Sequence, residues 1–147
     1  MVGKNNGNVI LKMYDSIRRQ NYTNYRIIQI DDNSDDDTIS KTIVHLDKYP
    51  FLKERTSIVV TRYERNALFN RHYANMNYCK DDDIVVDLDS DDWLIGRQAF
   101  QLVNSLYQTG KMYNGGHQEL WSLFLDNIAY LNWYKCPKVA LYGDFPA

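Results

Sequence analysis

YRIIQIDDNSDDDTISKTIVHLDKY, residues 25–49, changes its periodicity partway along. Its opening is short, rich in β-branched residues and stopped by acid, which predicts a strand from about Tyr25 to Ile30. The polar run that follows offers Ser34 or Asp35 as a helix cap, with acids in the first turn, where they complement the helix dipole. Ile39, Ile43 and Leu46 then recur at helical spacing and predict a helix with one apolar face. A strand feeding directly into a helix of this length is the unit of a parallel sheet with crossovers.

The same alternation continues on both sides. Val9, Ile10, Met13 and Ile17 have helical spacing in NVILKMYDSIRRQNY, residues 8–22, and Asn8 stands where a cap is needed. Downstream, TSIVVT (56–61) reads as a strand, ERNALFNRHYANMNYC (64–79) as a polar helix and DDIVVDLD (82–89) as another strand. Ile95, Ala99, Leu102, Val103 and Leu106 mark a further helix. The fold class is therefore α/β.

Length and composition bound the function. The 147 residues amount to one domain or a piece of a larger one. A chain 44% hydrophobic and 24% charged is ordinary for a globular protein, which excludes disordered and collagen-like classes. With 17 basic against 19 acidic residues the net charge is -2, too small to predict a nucleic-acid partner. Cys79 and Cys136 have neither C-x-x-C nor metal-ligand spacing, so reduced thiols are expected. No apolar stretch approaches a bilayer span and no signal-peptide pattern opens the chain, so a cytoplasmic location is expected.

The acidity is local. Asp31 and Asp32 end one predicted strand; Asp87, Asp89, Asp91 and Asp92 end another. In parallel α/β sheets ligands bind beyond the carboxyl ends of the strands, so both clusters are expected on one edge. Capping and a solvated turn account for Ser34, Asp35, Asp36 and Asp37. The second cluster follows an apolar strand, and carboxylates this close repel unless something compensates them. A hard divalent cation, magnesium or manganese, suits such oxygens. An EF-hand loop beginning at Asp87 would need glycine where Asp92 stands and glutamate where Gln98 stands, and has neither. IVVDLDSD also resembles the first motif of haloacid-dehalogenase-like phosphatases, in which Asp87 would be the nucleophile and Asp89 the general acid or base; Asp91 stands where threonine or valine is usual.

A third class accounts for more residues. SIRRQNYTNYRIIQIDDNSDDDT, residues 16–38, resembles the opening of family 2 glycosyltransferases, with Ser16, Ile17, Gln20, Tyr22, Asn24, Ile27, Ile28, Asp31, Asp32, Ser34, Asp36 and Thr38 in register. Residues 64–94 resemble the same family's helix, strand and D-x-D signature, with Asn66, Asn75 and Asp89 to Trp93 in place. The resemblance covers about residues 4 to 108. It implies a GT-A-like, Rossmann-type three-layer sandwich with a mostly parallel central sheet, truncated at both ends. Residues 1–110 would form the nucleotide-sugar-binding half. The remainder, 111–147, would be an amphipathic helix and a short strand.

By position, the resemblance implies that Asp32 binds the nucleotide base with Asp31 supporting its turn, and that Lys4, Asn5 and Asn6 line the nucleotide site. Asp89 would face the ribose and the metal, and Asp91 would hold Mn2+ or Mg2+ on the donor's diphosphate. The implied reaction moves a sugar from a nucleotide-diphosphate sugar to an acceptor hydroxyl on a glycan, lipid or protein, with inversion. The first strand is almost absent, which would cost the sheet a member. No residue is assigned as catalytic base; Glu119, Asp126 and Asp144 are the downstream acids and sit in no motif. In the tail, Leu120, Trp121, Phe124, Leu125, Ile128 and Leu131 have helical spacing, while Trp133 and Tyr134 offer a sugar platform or a peripheral membrane contact. A phosphatase using Asp87 and an inactive nucleotide-binding remnant stay open as alternatives.

Overall fold

The computed structural model describes residues 1–80, 82–108 and 132–135. Three parallel strands, β1 (Val2–Gly3), β2 (Ile27–Asp31) and β3 (Thr56–Val60), form the main sheet in the order β1-β2-β3. β2 pairs with β3 along its whole length, from Ile27 opposite Thr56 to Asp31 opposite Val60. β1 pairs Val2 with Ile30 and Gly3 with Asp31. The nearly missing first strand is thus present as two residues and keeps its place in the sheet.

β4 (Ile84–Asp87) departs from the expected parallel arrangement. It pairs antiparallel with β5 (Asn132–Lys135) in a separate two-stranded ribbon. Among the described residues it meets the parallel sheet through the bridge Val2–Asp89. That bridge still runs parallel, so the end of β4 lies beside the end of β1.

Helix α1 (Ile10–Arg18) supplies the centre of the core: Ile10, Met13, Tyr14 and Ile17 are buried with Ile27, Leu46, Leu52, Leu88, Leu94 and Ala99. The Tyr14 hydroxyl donates to Gln29 Oε1 at 2.5 Å, which satisfies a buried amide on β2. Asn8 does not cap α1. Val9 holds the boundary, and the Asn6 carbonyl accepts from the Val9 and Ile10 amides, both at 2.9 Å.

Helix α2 (Thr38–Lys48) buries Leu46 as expected and half-buries Ile39, but the rest of its inner face is polar. Thr38, Thr42, His45 and Leu46 point inward, while Ile43 is 49% exposed. The polar face is tolerated because its hydroxyls are satisfied: Thr38 Oγ1 donates to Asp36 Oδ1 at 2.5 Å and Thr42 Oγ1 to the Thr38 carbonyl at 2.9 Å. His45 lies between the rings of Tyr14 and Tyr49. Neither Ser34 nor Asp35 caps this helix; Asp36 Oδ1 takes the Thr38 amide at 2.9 Å. After a short helix α3 (Pro50–Lys53) and β3, helix α4 (Ala67–Tyr78) packs on β1 and β2, capped by Asn66 Oδ1 accepting from the Phe69 amide at 2.7 Å. Helix α5 (Ala99–Gln108) starts later than its apolar spacing suggests, leaving Ile95 outside it and 46% exposed. Within 111–147 the described residues are those of β5; the expected amphipathic helix falls outside the described residues. No helix among those described is long and apolar enough to cross a membrane.

Candidate functional site

The site is organised around the end of β1. On one side the Asp32 amide donates to the Gly3 carbonyl at 2.8 Å; on the other the Ser90 amide donates to the Val2 carbonyl at 3.1 Å. The two acidic segments therefore converge on one short strand, as expected of parallel strands ending at one edge. Gly3 permits this approach: a Cβ there would collide with the Ser90 side chain and with Asn6 Oδ1. Ser90 is 2% exposed, so it packs inward while its acidic neighbours remain at the surface.

Asp31 acts on the backbone. It is fully buried, and its carboxylate accepts from the Ser34 amide at 2.9 Å and the Ser34 hydroxyl at 2.6 Å, folding DDNS into a turn. Ser34 Oγ in turn accepts from the Asn5 amide at 2.8 Å, and Asn5 Oδ1 accepts from the Asp35 amide at 3.0 Å. Asn5 and Asn33 both have positive φ, 55° and 61°, a conformation asparagine tolerates better than most residues. Asp36 ties the same loop down, accepting from the Gly7 amide at 3.0 Å. Burial opposes its charge, yet the Thr38 and Gly7 hydrogen bonds and Lys41 hold its carboxyl below the usual range. Asn5, Asp31 and the NNG loop are thus one hydrogen-bonded unit.

Asp32 is buried beside it and braces the next strand. Its Oδ1 accepts from the Arg65 amide at 2.8 Å and from Thr61 Oγ1 at 3.3 Å. Lys4 reaches the same loop, its ammonium donating to Glu64 Oε2 at 2.6 Å. Asn6 Oδ1 is buried without a hydrogen-bond partner among the described residues.

The DLDSDD segment forms a tight turn, the Asp92 amide donating to the Asp89 carbonyl at 3.0 Å. Asp89 makes a close ion pair through Oδ1 with Arg71 of α4, whose Nε also lies 3.8 Å from Asp87. Asp91 is exposed. Burial, followed by the charges of Asp91 and Asp89, raises the pKa of the Asp92 carboxyl. Among the described residues no group of three or more acidic, histidine or cysteine side chains is arranged to hold a metal. The turn carries three carboxylates, Asp89 paired with Arg71, Asp91 exposed and Asp92 partly desolvated.

Several residues of this site carry no sequence signal for their role. Ser16 and Gln20 fall in the motif register, and their side chains hold backbone groups: Ser16 Oγ accepts from the Leu94 amide at 2.9 Å. Gln20 Nε2 donates to the Gly96 carbonyl at 3.0 Å, and its Oε1 accepts from the Ala99 amide at 2.9 Å. They fasten the segment after the acidic turn onto α1. Arg71 lies in a polar helix with nothing to distinguish it from other surface arginines. Glu119, Asp126 and Asp144 lie outside the described residues.

The sequence model described as glycosyl transferase family 2 matches residues 1–129. No curated protein matches the chain. Among solved structures, it is similar to a mannosyltransferase of Pyrobaculum calidifontis in complex with GDP-Man and Mn2+, at TM-score 0.69 and 18% identity, over 91% of this chain and 42% of that one. It is also similar to the 1–349 form of TarS from S. aureus, at TM-score 0.62 and 16% identity, over 74% of this chain and 31% of that one. The same form in complex with UDP gives TM-score 0.59 and 17% identity, with equal coverage. At such identities the likeness establishes the GT-A fold, and the chain spans less than half the length of each of these structures.

Proposed function

This chain belongs to glycosyl transferase family 2, and we propose that it forms the donor-binding part of an enzyme that transfers a sugar from a nucleotide-diphosphate sugar to an acceptor hydroxyl. Inversion at the anomeric carbon, dependence on Mn2+ or Mg2+ and a cytoplasmic setting are parts of the same proposal. The supporting observation is the convergence of two acidic turns on Gly3, where a side chain would fill the space between them. Family membership displaces the phosphatase reading of Asp87, which here lies beside Arg71.

The residues divide the work. Asp32 spends Oδ1 on Arg65 and Thr61, leaving Oδ2 to accept an N–H from the nucleotide base. Asn5 and Asp31 hold the turn that presents it. The buried, unpartnered Asn6 Oδ1 is an acceptor of the kind a bound hydroxyl or N–H satisfies. Asp89 and Asp91 fit a divalent cation because magnesium and manganese are commonly held by one or two carboxylates together with substrate phosphates. When bound, the cation neutralises charge developing on the departing diphosphate. Arg71, paired with Asp89, fixes that carboxylate's position.

The test is titration of UDP and GDP by calorimetry, with and without manganese, using the wild-type chain and Asp91→Asn. One nucleotide is expected to bind only with metal, and Asp91→Asn is expected to weaken it by about tenfold or more. No binding to folded protein under any condition would overturn a donor site here, and metal-independent binding would remove the cation. Binding without donor turnover in an otherwise extended protein would select the inactive nucleotide-binding reading.

A further inference from the structure

The face of the molecule leading away from the acidic turn carries the opposite charge. Lys12, Arg18 and Arg19 of α1 and its C-terminal boundary, together with Arg97, surround an open groove of about 680 Å³ whose wall includes Trp93. Against these four cations the lining contains one carboxylate, Asp15, in a chain whose net charge is -2. Arg18 pairs with Asp15 at 3.2 Å and lies over the Tyr49 ring, so it is already engaged. Lys12 and Arg19 are exposed, and Lys12 Nζ stands 5.3 Å from the centroid of the Trp93 ring. Trp93 is 42% exposed, with the Lys12 ammonium over its ring.

The groove is held in shape independently of any ligand. Its two walls are joined by the Leu94 amide on Ser16 Oγ, by Gln20 on Gly96, by Arg97 Nε on the Arg19 carbonyl at 3.2 Å and by the Asn21 amide on the Arg97 carbonyl at 2.7 Å. These bonds fix the walls, while the side chains of Lys12, Arg19 and Trp93 extend from them exposed. Trp93 follows Asp91 by two residues, so the groove opens within about 7 Å of chain from the acidic turn.

We infer that this groove seats the acceptor, and that the acceptor is an acidic glycan whose rings lie on Trp93 and whose anionic groups face Lys12, Arg19 and Arg97. The inference rests on the donor-site reading above for the word acceptor; the binding of an anionic sugar chain rests on the groove alone. An indole face suits the apolar side of a pyranose, and guanidinium groups suit carboxylate or phosphate oxygens. Concavity favours a chain-like ligand over a flat lipid surface, which would leave the groove floor uncovered.

The experiment titrates the folded chain with tetragalacturonate and with its fully methyl-esterified, uncharged form, at low and high salt. Sedimentation with vesicles of phosphatidylcholine and phosphatidylglycerol runs in parallel. The acidic form is expected to bind at least about tenfold more tightly than the neutral one, with affinity falling as salt rises. Trp93→Ala and the double variant K12Q with R19Q are each expected to lose binding by about tenfold while unfolding at the wild-type midpoint. If a variant unfolds early, chemical-shift perturbation of the Trp93 indole by tetragalacturonate in the wild-type chain decides instead. Equal affinity for both forms, binding unchanged in the folded variants, an unmoved Trp93 indole, or sedimentation with anionic vesicles would each overturn the inference. UDP and GDP titration separates the two readings: nucleotide binding without glycan binding defeats only the acceptor groove, and glycan binding without nucleotide binding defeats only the donor site.

Discussion

Gln20→Ala should unfasten the segment that follows the acidic turn. The side chain is 7% exposed and makes three hydrogen bonds: to the Ser16 carbonyl, to the Gly96 carbonyl, and from the Ala99 amide. The first is local to the end of α1, but the other two cross more than 70 residues of sequence and have no substitute once the amide is gone. At roughly 1 kcal/mol net for each of these two, plus about 1 kcal/mol for leaving the buried Ala99 amide unpaired, the loss is about 3 kcal/mol. For a chain of this size that corresponds to a fall in Tm of about 9 °C. Gln20→Glu separates acceptor from donor. The new carboxylate keeps the Ala99 amide but faces two carbonyls, of which protonation lets it donate to one. Its folded pKa is therefore raised, and its deficit should shrink as pH falls through that value. Urea unfolding followed by circular dichroism measures the stability, and hydrogen exchange at the Leu94 and Ala99 amides locates it. A change below about 0.5 kcal/mol would refute the reasoning, as that is the range of surface substitutions without structural consequence. Faster exchange confined to α1 would do the same.

Two further outcomes follow from the packing. Gly3→Ala should lower stability by about 1–3 kcal/mol, because the added methyl overlaps Ser90 and Asn6, and it should move the acidic turn; heteronuclear NMR shifts at Ser90 and Asp91, or their absence, decide it. Burial lowers the pKa of His45, with Asp15 opposing and Arg18 and Lys48 reinforcing the shift, so the unfolded chain takes up this proton first. Stability should decline as pH falls from about 6.5 through the lower folded value, and His45→Phe should flatten that part of the pH profile measured by urea midpoints.

The fold was legible where a local rule suffices. The change from β-branched run to helical spacing around Asp32 is written into consecutive residues, and β2 and α2 form where it points. What misled was the buried face of α2. Hydropathy selects Leu46 rightly but also Ile43, which is exposed; Thr38 and Thr42 satisfy their hydroxyls and His45 packs between tyrosines, so polar side chains share the interior. Helix caps failed for a related reason. Asn8 and Ser34 are suitable caps by type, yet Ser34 is taken by Asp31 and Asn5, contacts 3 and 29 residues distant. The strand at Ile84 was legible as a strand but not in its pairing, since partner and direction depend on which backbone edges lie beside it.

The acidic site divides along the same line. Asp31, Asp32, Asp89 and Asp91 announce themselves in sequence because charge after an apolar strand demands compensation. Tertiary structure alone decides that Asp32 Oδ1 accepts from Arg65 and Thr61, that Asp89 shares its charge with Arg71, and that Asp91 remains exposed. Residue type and order set what each element can be, through propensity and periodicity that act over a few positions. Which carboxylate is engaged and which is available depends on neighbours brought in from distant elements, and only the folded backbone specifies those.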